Sequence, residues 1–206
     1  MTTDAATTET TDAGAVGRLG TALRDVAGRL EETAALDEAA AQVRARIAPV
    51  LRQPRAAAVL RGAPLGHAAH PLLTDLPIGL WVSASALDLL ALESAGRAAQ
   101  RLVGLGVLAV APTSLTGLAD WAAAEGHDPA VRRVGVAHAL LNVAATSLYG
   151  ASWLMRRRGR RTAGVVVALL GGGVLAASGY LGGHLVVVRH APHDEPVGSP
   201  GEGPGD

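Results

Sequence analysis

The sequence predicts an all-α integral membrane protein, a four-helix transmembrane bundle preceded by amphipathic helices. Hydrophobic residues make up 49% of the 206 residues and charged residues only 17%, and most of the apolar residues fall in four long runs. Each run is near or above the roughly 20 residues that a helix needs to cross a bilayer. The runs are Leu72–Leu92, Leu102–Ala122, Val134–Met155 and Thr162–Val188.

The segment before these runs is polar at its start and amphipathic further along. Residues 1–15 have neither a basic region nor an apolar core, so we expect no cleavable signal peptide and a disordered N-terminus. Residues 16–61 predict an amphipathic helical segment, because apolar residues recur at intervals of three and four. The repeat shifts phase near Thr33, which indicates two helices, the second capped by Asp37. Both are expected to lie on the membrane surface or to pair with a partner.

Arginine-bearing breaks divide residues 62–189 into the four helices of a transmembrane domain. They are expected near residues 93–101, 123–133 and 156–161. Seven of the nine arginines in these breaks lie in the first and third, so the positive-inside rule predicts that both termini are outside the cell membrane. Residues 190–206 are rich in proline and glycine, which predicts a disordered tail.

The composition excludes several classes of function. The chain has no cysteine, which excludes disulfides, thiol catalysis, covalently attached c-type haem and an iron–sulfur cluster of its own with cysteine ligands. The net charge is zero, so there is no basic excess to indicate a nucleic-acid partner. No nucleophile stands beside a base in a recognisable frame, and no glycine loop that cradles phosphate precedes a helix. The sequence therefore does not indicate an enzyme.

Polar side chains occur at the helix ends that share one membrane face. Spanning helices alternate in direction, so the start of the first run, the end of the second, the start of the third and the end of the fourth come together. Ionisable groups in membrane helices are costly and face the bundle interior. We therefore predict one connected constellation of His70, Asp75, Asp120, His138 and His184. Further polar residues at this face are His67, Trp121, Asn142 and Tyr180.

These residues support more than one interpretation. Two imidazoles, from His138 and His184 with His70 as a substitute, are suitable ligands for haem b, and with His67 they could also hold a metal ion. Alternatively, the histidines belong to a structural hydrogen-bonded network with Asp75, Asp120, Asn142 and Tyr180. His67 and His70 also suit interfacial anchoring, and Asp75 suits an N-cap if the helix restarts before Pro77. Asp88, near the opposite face, is interpreted as a packing or interfacial carboxylate.

Four motifs together resemble a known family. They are GHAAHPLLTDLPIGLW, TGLADW, VGVAHALLN and GYLGGHLV, in this order and each at a helix end. They resemble a bacterial four-helix transmembrane domain of unknown function that in actinobacteria is often followed by a Rieske iron–sulfur domain. The resemblance extends from about Leu36 to Arg189. In the family the first histidine is commonly followed by proline, whereas here the pair is His67–Ala68. The resemblance implies the fold and an association with redox proteins, and any Rieske partner is expected to be a separate chain.

Three functions remain open from the sequence. The first is a membrane anchor or assembly subunit that contacts the lipid bilayer and a separate redox protein. The second is a membrane redox module that binds haem b or a metal through His138, His184 or His70. The third is a proton or ion pathway that uses Asp75, Asp120 and the histidines as a relay.

Overall fold

The computed structural model describes residues 5–90 and 95–191, with side chains from residue 17 onward. The predicted disordered tail, apart from its first two residues, lies outside the described residues. Within these ranges the fold is entirely helical, and a short 3₁₀ helix at Ala63–Leu65 precedes the transmembrane domain. The α-helices are α1 Ala5–Glu32, α2 Leu36–Leu51, α3 Pro54–Leu60, α4 Ala69–Leu89, α5 Gly96–Ala124, α6 Pro129–Arg157 and α7 Arg161–Val187.

Four helices, α4 to α7, are long and apolar enough to cross a membrane, which confirms the predicted fold class. The breaks between them are shorter than predicted, because α5 already begins at Gly96 and α6 already begins at Pro129. Arginine is a good helix former and reaches water with its long side chain. The helices therefore continue past the apolar runs into the arginine-bearing segments.

Each membrane helix packs mainly against the next helix in the chain, and α4 also contacts α7. At the centre, the rings of Trp81 in α4 and Tyr149 in α6 stack with centroids 3.9 Å apart. The indole nitrogen of Trp81 donates to the carbonyl of Val103 in α5 at 3.2 Å. This aromatic pair therefore links three of the four helices.

Large side chains of one helix rest on glycines of its neighbour. Trp81 rests on Gly106, and a Cβ atom at that glycine would collide with the indole ring. Small residues let helix backbones approach closely in lipid. The same arrangement occurs in Trp153 on Gly104, His70 on Gly117, Trp121 on Gly135 and His138 on Gly182, among others.

The two amphipathic helices pair with the bundle of their own chain. α1 and α2 both pack against α6, and Ala27 of α1 is fully buried in a cluster with Val134 and Leu181. α1 begins at Ala5, so it includes most of the segment for which disorder was predicted. The residues between α1 and α2 coincide with the predicted phase shift at Thr33. The capping role predicted for Asp37 is wrong, because the N-cap is Ala35 and Asp37 lies inside the first turn of α2.

α4 is continuous, so Asp75 is not the N-cap of a restarted helix. The helix begins after Ala68, and Asp75 is exposed on its second turn. Pro77 lacks an N–H group and therefore leaves the carbonyl of Leu73 without its helical donor. The hydroxyl of Thr113 in α5 lies 3.0 Å from that carbonyl and 2.9 Å from the carbonyl of Ala109 in its own helix, so its one hydrogen has both acceptors within reach. When it donates to Leu73, this replacement bond allows α4 to continue through the proline.

We expect Gly106→Ala to destabilise the bundle by about 1–3 kcal/mol, the typical cost of overpacking a core. Trp81 cannot move away from the new methyl group, because it is buried and stacked on Tyr149. Gly79→Ala is the matched control, since a Cβ atom there meets nothing within 4 Å. Thermal unfolding of the detergent-purified variants measures the difference. Equal midpoints for the two variants would contradict this packing.

Candidate functional site

His138 belongs to a closed hydrogen-bonded ring between α6 and α7. Its Nδ1 lies 2.8 Å from the carbonyl oxygen of Ser178, which can only accept, so Nδ1 carries the proton and donates. Its Nε2 accepts from the side-chain amide of Asn142 at 2.9 Å. The Ser178 hydroxyl in turn donates to Oδ1 of Asn142 at 3.0 Å. This cycle of hydrogen bonds is complete when the imidazole is neutral, and both nitrogens of His138 then take part in hydrogen bonds.

His184 binds a residue outside the transmembrane domain. Its Nε2 donates to Oε1 of Glu31, in α1, at 2.7 Å. Arg189, just beyond α7, donates to both carboxylate oxygens of Glu31. The hydrogen bonds from Arg189 and, less strongly, from His184 hold the pKa of Glu31 below its ordinary value. His184 therefore helps to attach α1 to the end of α7.

His70 lies between α4 and α5, and only one of its two ring nitrogens has a hydrogen bond to the described residues. Its Nδ1 donates to the carbonyl oxygen of Thr113 at 3.0 Å, and its ring lies flat on Gly117. A carbonyl can only accept, so the neutral ring carries its proton on Nδ1 and has a lone pair on Nε2. Among the three buried or half-buried histidines, His70 is the one whose Nε2 has no hydrogen-bond partner among the described residues.

The other predicted site residues do not join a common cluster. Asp75 and His67 are exposed, and Nδ1 of His67 bonds only the adjacent carbonyl of Ala68. Asp120 is mostly buried and interacts electrostatically with Arg61. Tyr180 packs against the apolar cluster that holds α1 on the bundle.

Three residues of the predicted constellation, His70, His138 and His184, bond to partners in separate local networks. In the described part of the chain, no hydrogen bond or ion pair joins any two of His70, Asp75, Asp120, His138 and His184. No group of three potential metal-ligating side chains was found there either. The three imidazoles bond instead to a backbone carbonyl or a carboxylate on another helix.

The helices α1 and α2 are held on the bundle by an ionic latch, which we define as Glu31, Asp37, Arg44 and their partners. Asp37 accepts from Arg132 at 3.0 Å and from Arg133 at 2.8 and 3.0 Å. These hydrogen bonds, led by that of Arg133, lower the pKa of Asp37 to about 2. Arg44 pairs with Glu125, which is fully buried and whose Oε2 has no hydrogen-bond partner among the described residues. The latch involves all three of the helices α5, α6 and α7 at one end of the bundle.

A buried ion pair lies at the opposite end and was missed in the sequence. Both oxygens of Asp88 in α4 accept from Arg156 in α6, at 2.6 and 3.0 Å, and each side chain is only 2% exposed. Ser152 accepts from Nε of Arg156 and donates to the carbonyl of Gly164. The signal was available, because α4 and α6 run in the same direction and both charged residues stand at their ends. Asp88, interpreted from the sequence as a packing or interfacial carboxylate, is buried in this ion pair.

The chain belongs to the family of predicted membrane proteins called DUF2231, whose model matches residues 66–195, well over half of the chain. The match begins after the latch helices, whereas the resemblance was expected to reach back to Leu36. Comparisons with curated proteins and with solved structures gave no match.

Ser178→Ala removes the hydroxyl that completes the hydrogen-bonded cycle of His138, Asn142 and Ser178. We expect the free energy of unfolding to fall by about 1–3 kcal/mol, because the amide oxygen of Asn142 is left without its donor. Ser147→Ala is the matched control, because Ser147 is exposed and bonds only within its own helix. Unfolding midpoints of the two variants in the same detergent provide the measurement. If both variants unfold like the wild type, the hydrogen-bonded cycle around His138 has no structural role.

Docking of α2 should depend on the ionised form of Asp37. The pKa of this group is lowered from 3.8 to about 2, so its contribution is fully present above about pH 4 and is lost as the pH falls through about 2. We expect Asp37→Asn to raise backbone hydrogen exchange in α2 at pH 5, and this difference from wild type to vanish below pH 2. Asp25→Asn, at an exposed position of α1, should exchange like the wild type. An unchanged exchange rate in Asp37→Asn at pH 5 would show that the latch does not hold α2.

Proposed function

We propose that this member of the DUF2231 family is a non-catalytic anchor or assembly subunit of the cell membrane. The observation that carries the proposal is the hydrogen bonding of His138, whose two ring nitrogens are both occupied by Ser178 and Asn142. A histidine that ligates a metal or haem must leave one nitrogen for the iron or metal. His138 therefore fits the role of a residue that fixes the register of α6 and α7.

The ionic latch supports the same function. Glu31 and Asp37 attach the amphipathic helices to α6 and to the end of α7 through arginines. This makes α1 and α2 a fixed extension of the membrane domain. Leu19 and Val26 remain 61% and 51% exposed on α1 and provide apolar contacts for a partner. An assembly subunit needs such a surface in a defined position relative to the membrane.

The partner in this proposal is a separate redox protein. This choice of partner rests on the family resemblance. The proposal also has both termini outside the cell membrane, because seven arginines lie in or next to the α4–α5 and α6–α7 loops and only two lie next to the α5–α6 loop. The latch and the partner surface then lie on the outer side.

A second candidate function is a haem b or metal site at His70, and a specific observation favours it. Histidine ligands commonly donate their second ring N–H to a backbone carbonyl, which orients the ring. His70 has this arrangement through Thr113, and its Nε2 carries the lone pair that a ligand supplies. In this function His70 would bind the iron or metal ion, and Thr113 would orient its ring.

Absorption spectra and metal analysis of the purified protein separate the two candidates. For an anchor we expect no Soret band in oxidised or reduced protein and less metal than protein. The comparison uses His70→Ala with His67→Ala as its control, because His67 is exposed. A Soret band or one equivalent of metal that is lost in His70→Ala and kept in His67→Ala would contradict the anchor proposal and support the second candidate.

A photo-crosslinking residue tests the anchor directly. At position Leu19 it should form an adduct with a protein that carries a redox cofactor. At Val82, which is 61% exposed on α4, the same residue should react with lipid only. The same pattern of adducts at both positions would argue against a partner surface on α1.

A further inference from the structure

A lipid-facing groove lies between α5 and α6 at the arginine-rich end of the bundle. Its volume is about 450 Å³, which is within the range of sites for small organic ligands. The residues that line it include Arg101, Gly104, Leu105, Leu108, Gly150 and Trp153. Of the described residues that line it, Arg101 is the one that carries a charge. The groove is therefore apolar along its length and cationic at one place.

The shape of the groove depends on glycine. Gly104 lies under the ring of Trp153, and at Gly150 a Cβ atom would meet nothing within 4 Å. Leu105 and Leu108 are 52% and 71% exposed on the same side of α5. The open space is thus bordered by the ring of Trp153 and by the aliphatic side chains of Leu105 and Leu108, and these surfaces suit a hydrocarbon chain.

Two arginines near the groove have no acidic partner among the residues that the structure describes. Arg101 is exposed and takes part in no ion pair within the described ranges, and the same holds for Arg157. The guanidinium of Arg157 lies over the ring of Trp153, 4.9 Å from its centre. The neighbouring cations Arg156 and Arg161 are engaged by Asp88. Arg101 and Arg157 are therefore available for an anionic group.

We propose that this groove binds an anionic phospholipid. An acyl chain lies over Gly104 and Gly150 against Trp153, and Arg101 and Arg157 hold the phosphate. Basic residues at the membrane surface between transmembrane helices are a known mode of anionic lipid recognition. Arginine also binds phosphate with two parallel hydrogen bonds. A free phosphate would use the arginines alone, whereas a lipid uses the groove as well.

The test compares phosphatidylglycerol with phosphatidylcholine of the same acyl chains, titrated into the purified protein and counted by native mass spectrometry. We expect the wild type to prefer the anionic lipid and Arg101→Gln to bind it about fivefold more weakly, the loss for one surface arginine. Arg158→Gln, which removes the same charge from the adjacent loop outside the groove lining, should bind like the wild type. Equal binding by Arg101→Gln and Arg158→Gln would overturn the proposal.

Gly150→Leu tests the acyl chain separately, because it fills the groove and leaves both arginines in place. It should weaken phosphatidylglycerol binding, while Gly173→Leu, at an open position on α7, should not. The unfolding midpoint of each variant shows whether it is folded. Inorganic phosphate should compete poorly with the lipid. Strong competition by phosphate together with normal binding in Gly150→Leu would identify an anion site without a lipid groove and would also overturn the proposal.

Discussion

The hydrocarbon core of the bilayer contains no water, so each polar group within it must find its partner inside the protein. In this bundle the partner is usually on an adjacent helix. His70 bonds a carbonyl of α5 and His138 bonds a carbonyl of α7. These bonds require the helix backbones to be close, and the glycines under both rings make this possible. The helix register therefore depends on pairs formed by a large polar side chain and a glycine.

The two ends of the bundle use charge differently. At one end the acidic residues Glu31 and Asp37 pair with arginines and attach the amphipathic helices. At the other end Arg156 and Asp88 form a buried pair, which is costly to desolvate and strongly destabilising to break. Several arginines around that pair, including Arg101, have no acidic partner in the described part of the chain. One end thus carries acidic residues paired with arginines, and the other carries arginines without an acidic partner among the described residues.

The sequence was sufficient for the fold and for the positions of the polar residues, but not for their partners. Run length predicted α4 to α7, because a spanning helix has a fixed minimum length. The acceptor of His138 is a backbone carbonyl of Ser178, and a carbonyl leaves no signal in a sequence. The acceptor of His184 is Glu31, which belongs to a segment that was expected to lie apart from the bundle. Helix direction predicted which ends meet but not which way each ring points.

Both ring nitrogens of His138 are bound by the protein, as expected of a structural residue. Nitrogen-15 NMR of histidine-labelled protein in a membrane mimic, with and without added haem or divalent metal, reports the protonation and ligation of each ring nitrogen. The His138 ring should be neutral, protonated at Nδ1 through its bond to Ser178, and unchanged by either addition. A ring protonated at Nε2, or a His138 signal that shifts when haem or metal is added, would contradict the account.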